Sequence, residues 1–98
     1  MINREELRKS LVSLAEVLNA AEAVSYKASF EEFLCQHEFG LALHSVCDYL
    51  VLENPSLITV DRLLLVQELH GKMHLEDDCV RELEAARAKA DHIARNRA

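Results

Sequence analysis

Glycine occurs twice in these 98 residues, proline once and tryptophan not at all. So little turn punctuation in an Ala/Leu/Glu/Arg-rich background excludes a loop-rich or many-stranded architecture. It predicts long helices joined by short connections. No apolar run approaches the roughly 18–20 residues that a bilayer span requires, so no membrane segment is expected. The opening residues, Met1-Ile2-Asn3-Arg4-Glu5-Glu6, carry acids where a signal peptide would be basic and then apolar, which favours the cytoplasm. Three cysteines, Cys35, Cys47 and Cys79, stand at spacings that fit no zinc or redox motif. In a reducing compartment they read as three small buried apolar side chains.

Bases are missing from one third of the chain. From Ala28 through Asp61 there is no Lys or Arg. The net charge is −6, and the surplus lies there, at Glu31, Glu32, Glu38, Asp48, Glu53 and Asp61; the segments on either side balance. A field of this sign repels nucleic acid and attracts a basic partner. The bland alternative is a solvated acidic face.

What is present is helical periodicity. Asn3 is a suitable N-cap for a first helix running to about Glu22, with Leu7, Leu11, Leu14, Val17, Leu18 and Ala21 as its apolar stripe. Val24 to Ala28 has no clear period and reads as a connection. Ser29-Phe30-Glu31-Glu32 has the form of a capping box opening a short helix to about Gln36. A third helix is predicted from about Glu38 to Leu52, with Leu41, Ala42, Ser45, Val46, Tyr49 and Leu50 inward, a bend near His37, and Gly40 marking close approach of another backbone. Asn54-Pro55-Ser56 is a breaker. Thr59 caps a fourth helix, Val60 to about Met73, with Leu63, Leu64, Val66, Leu69 and Met73 on a broad apolar face and Gly71 as terminator. Asp77 or Asp78 caps a fifth, Cys79 to about Arg95, whose seam is Cys79 (or Val80), Leu83, Ala86, Ala90 and Ile93; Asn96-Arg97-Ala98 are expected to fray. The sum is an all-α, compact bundle of about five helices, one domain over residues 1–98.

Catalytic and metal chemistry find little purchase. His70 and His74 stand four apart, as two zinc ligands on one helix do, but Gly71 intervenes and no third ligand beyond Cys79 suggests itself. Cys35 with His37, or Cys47 with His44, supplies nucleophile and base types without an orienting group. The bases of the last helix alternate with acids, which describes a salt-bridged surface rather than a nucleic-acid reader. No enzyme, metal or cofactor is expected. A binding module remains.

Residues 32–43, Glu32-Phe33-Leu34-Cys35-Gln36-His37-Glu38-Phe39-Gly40-Leu41-Ala42-Leu43, carry a more specific pattern. It continues through Cys47-Asp48-Tyr49-Leu50, Leu52-Glu53-Asn54 and His70-Gly71-Lys72-Met73-His74-Leu75. Over roughly residues 29–80 the chain resembles the MafI-type immunity proteins of bacterial polymorphic toxin and contact-dependent growth inhibition systems. His37 and His74 stand where that family often has Gly. The resemblance implies a small helical antitoxin that binds the C-terminal domain of a secreted nuclease toxin, of the EndoU-like RNase type. It joins the charge reading at the base-free segment, where Glu31, Glu32, Glu38, Asp48, Glu53 and Asp61 are the expected toxin contacts. The alternative is a non-catalytic structural or regulatory module that self-associates through the Ala-rich seam of residues 79–93.

Overall fold

Leu7, Leu11 and Leu14 recur at helical spacing behind Asn3, and the chain coils there at once. In the computed structural model, which describes residues 3–96, helix α1 spans Arg4–Leu14. The Asn3 Oδ1 accepts from the amides of Glu5 at 2.9 Å and Glu6 at 3.4 Å, and both acids sit where the helix dipole favours them. The expected continuation to Glu22 does not occur. A 3₁₀ segment, Ala15–Asn19, follows, then an extended Ala20 and a second 3₁₀ turn, Ala21–Ala23. No breaker residue causes this. The tighter winding buries both Val17 and Leu18 at the corner where the chain turns back, and packing there overrides propensity.

Helix α2 spans Val24–Cys35. Val24 to Ala28, expected as a connection, forms its first turns, because Ala23, Tyr26, Phe30, Phe33 and Leu34 step by three and four into the core. Ser29 is therefore an exposed mid-helix residue, and the capping box is not used. Helices α2 and α3 (Phe39–Leu52) are separate and antiparallel neighbours, divided at His37 as the spacing suggested. Helix α3 is the centre of the molecule, touching α1, α2 and the last helix. It buries Phe39, Ala42, Leu43, Val46, Cys47, Tyr49 and Leu50. Leu41, expected inward, is 48% exposed. This helix is apolar nearly all round, so periodicity alone left its phase underdetermined. Gly40 does admit a close neighbour, but the neighbour is the Leu75 side chain, 3.0 Å from where a Cβ would lie, rather than a backbone.

A 3₁₀ turn at Pro55–Leu57 leads into α4, Val60–Lys72, whose N-cap Thr59 accepts from the Arg62 amide at 3.2 Å. Val66 and Leu69 are its buried residues, and Leu64 is exposed. Three consecutive leucines, Leu63 to Leu65, cannot share one stripe. Helix α5, Cys79–Asn96, is held at its start by the Asp77 carboxylate, which accepts from the Cys79 amide at 3.0 Å. Its seam is buried at Cys79 and Leu83, half-buried at Ala86 and Ala90, and open at Ile93. Asn96 belongs to α5; Arg97 and Ala98, expected to fray, lie outside the described residues.

Among the described residues there are five α-helices and no strand. The buried side chains form one contiguous core. The radius of gyration is 13.4 Å, slightly above the roughly 13 Å of a compact chain this long, and the longest dimension is 45 Å. No helix of the described residues is long and apolar enough to cross a membrane.

Candidate functional site

Two tyrosines organise the acidic segment. Tyr49, fully buried on α3, and Tyr26, half-buried on α2, pack edge to face with ring centroids 5.6 Å apart. Each hydroxyl donates to a carboxylate: Tyr26 to Glu53 at 3.1 Å and Tyr49 to Glu22 at 2.9 Å. Burial raises the Tyr26 hydroxyl pKa, and Glu53 and Asp48 raise it further. Burial likewise raises that of Tyr49, with Glu22 and Glu53 adding to it and Asn54 opposing. The Glu22 carboxyl is held below its ordinary range by its own backbone amide and by Tyr49, against a smaller desolvation effect. Three carboxylates therefore converge at the end of the α2–α3 pair.

Of the six acids singled out in the sequence, Asp48 and Glu53 belong to this cluster, and Glu22 is an unforeseen third. Glu22 lies outside the base-free stretch, in a segment whose charges cancel, so nothing in the charge count pointed to it. Glu31 and Glu32 lie on the exposed side of α2, Glu38 is the N-cap position of α3, and Asp61 is in the first turn of α4. The carboxylates of these four engage no hydrogen bond or ion pair among the described residues.

Beside the cluster, α3 shows solvent a mixed strip. Leu41, His44, Asp48 and Leu52 follow one another by three and four, so they share one face. Leu41 is 48% and Leu52 69% exposed, and His44 Nε2 lies 3.4 Å from Asp48 Oδ1. Large apolar groups between carboxylates, with no Lys or Arg on either helix from Ala28 onward, suit a partner that is both basic and apolar.

Comparison of the chain with protein-family profiles, with curated proteins and with solved structures gave no significant match.

The remaining chemical candidates separate in space. The sulfurs of Cys47 and Cys79 are paired as a disulfide, with Cα atoms 6.5 Å apart, and Cys35 is an exposed free thiol. This corrects the expectation of three buried thiols: Cys47 faces inward from α3 directly onto the first residue of α5, while Cys35 falls on the outer side of α2. His70 and His74 do not share a helix face, because His74 has φ +54° and lies beyond the end of α4. His70 Nε2 instead stands 2.9 Å from Asp77 Oδ1. No group of three or more His, Cys, Asp or Glu among the described residues could hold a metal ion.

Among the described residues, both non-glycine residues with positive φ are histidines. His37 (φ +59°) and His74 each sit one position past a helix cap. The Glu38 amide donates to Phe33 O and the His37 amide to Leu34 O; likewise Leu75 donates to His70 O and His74 to Gly71 O. These are two Schellman closures, a geometry that glycine usually provides. Gly71, expected to terminate α4, is inside its last turn instead.

Proposed function

We propose that this protein is an immunity protein that binds and neutralises a secreted nuclease toxin domain, of the EndoU-like RNase type, in the cytoplasm of the producing cell. The observation that carries the proposal is the α3 strip Leu41–His44–Asp48–Leu52 with Glu53 and Glu22 at its end, on helices that carry no Lys or Arg from Ala28 onward. A toxin that cuts RNA presents a basic cleft, because its substrate is a polyanion. Carboxylates facing that cleft steer encounter and form charge-assisted hydrogen bonds to Arg and Lys. Leu41 and Leu52 provide apolar area for the buried core of such an interface. Glu31, Glu32, Glu38 and Asp61 extend the negative field around the centre formed by Asp48 and Glu53.

The resemblance to MafI-type proteins supports the same reading at its two departures. His37 and His74, which replace residues that are often Gly in that family, occupy the positive-φ positions where Gly would sit without strain.

The test pairs the chain with the C-terminal domain of the protein encoded immediately upstream. The double reversal Asp48→Lys/Glu53→Lys is expected to weaken binding at least about 100-fold and to flatten its salt dependence. Circular dichroism confirms that the variant folds. Unchanged affinity and unchanged salt dependence would remove the acidic surface from the interface. An upstream protein with no nuclease-like domain would remove the toxin reading itself.

A further inference from the structure

The second half of α5 rests on the Pro55–Leu57 turn rather than in the centre of the core. Leu83 is its last fully buried side chain, and Glu84 to Arg95, about 18 Å of helix, contains none. Its inner side packs on that turn, with Ala86 against the core, and its outer side is open to solvent. On one flank it borders a groove of about 860 Å³. The floor is apolar: Val51 and Pro55 on one side, Ala85, Ala86 and Ala90 on the other, with Ile93, 47% exposed, at its end. Its charged lining is one acid and one base, Glu82 and Lys89. They stand seven residues apart on the same face of α5, two turns or about 10 Å.

We infer that this groove is occupied by α5 of a second copy of the chain, the two helices running antiparallel across a two-fold axis beside Ala85 and Ala86. The charge pattern selects this occupant. Reversing the helix direction about that axis places Glu82 opposite Lys89 of the second copy, and Lys89 opposite its Glu82, so the surface is complementary to itself. A groove carrying one charge of each sign gives a basic partner no net attraction, unlike the acidic cluster of Asp48 and Glu53. The alanines at the crossing point let two backbones approach at the short end of helix-packing distances. The contact covers the exposed Ala85 at the crossing point. It uses none of the carboxylates assigned to the toxin, so the two inferences stand or fall separately.

Sedimentation equilibrium of the whole chain, from about 1 to about 300 µM, tests this without any toxin. A reversible monomer–dimer equilibrium is expected. Glu82→Lys and Lys89→Glu, each placing like charges opposite one another twice, are expected to weaken it about tenfold or more. The double variant Glu82→Lys/Lys89→Glu restores the pairing and the dimer. Ala85→Arg, at an exposed position where Arg keeps the helix, abolishes dimerisation with unchanged circular dichroism. Asp48→Lys/Glu53→Lys leaves it intact. A monomer at every concentration overturns the inference. So does a dimer indifferent to Ala85→Arg, or a double variant that associates no better than the single ones.

Discussion

His74 pays a steric penalty that its neighbours make worthwhile. An L-residue in the left-handed region costs about 1–2 kcal/mol, somewhat less for His, which visits it more readily than most. The hydrogen bonds it closes, and the seating of Leu75 against Gly40, hold the chain there. Because the His74 side chain is exposed, replacing it by glycine removes the strain and little else. His74→Gly is expected to raise unfolding free energy by about 1 kcal/mol in urea titrations, and His74→Val to lower it by a similar amount or more. His37 occupies the equivalent position but also packs its ring on Phe39 at a centroid distance of 5.9 Å, so the same change there gains less. Neither φ was legible in the sequence, since His is not a turn residue by type.

Between elements, the Asp77 carboxylate joins the end of α4 to the start of α5 by meeting His70 Nε2 and the Cys79 amide together. Burial pushes this carboxyl up, but the Cys79 amide, the His70 ring and the charges of His70 and His44 outweigh it, and its pKa lies below the ordinary 3.8. A depressed carboxyl contributes stability that is present above that ordinary value and lost as pH falls through the folded one. Asp77→Asn is therefore expected to be less stable than the parent at neutral pH, with the gap closing below about pH 4 as the parent carboxylate protonates. The side chain is 40% exposed, so screening by solvent holds the difference to about 1 kcal/mol or less. Thermal melts of both proteins from pH 3 to pH 7, as a span of about four units, read it out.

Helix existence was legible at this scale wherever one apolar stripe had one phase, as in α1 and α5. It was not legible in α3, whose apolar circumference allowed Leu41 to be read as core. The break after Leu14 left no trace either, because tertiary packing of Val17 and Leu18 and not a residue type imposes it. The caps Asn3 and Thr59, by contrast, act through their own side chains and could be read directly. The candidate surface was half legible. Charge counting found Asp48 and Glu53, whereas Glu22, Leu41 and Leu52 required the third dimension.

For the molecule as a whole, the Cys47–Cys79 bond spans 32 positions and fixes the central helix to the last one. Closing a loop of that length removes unfolded-chain entropy worth about 3–4 kcal/mol. Thiol titration of the denatured, unreduced protein is expected to find one reactive group, Cys35, rising to three after reduction. The reduced form is expected to unfold at lower urea with a difference of about 3–4 kcal/mol. In a reducing compartment the two cysteines would stand as a dithiol at the same α3–α5 contact, leaving the fold that smaller margin. Three thiols in the unreduced protein would show that the pair does not oxidise.

The same bond makes a ring of the polypeptide between residues 47 and 79, and the Pro55 turn and all of α4 lie inside it. Arg62 and Lys72 are the only tryptic sites within that ring, and no others precede them back to Lys27. A protease that cuts after Arg62 or Lys72 opens the ring without dividing the molecule. The two pieces migrate as one covalent body until a reductant is added, so an intact mass on a non-reducing gel does not certify an intact backbone.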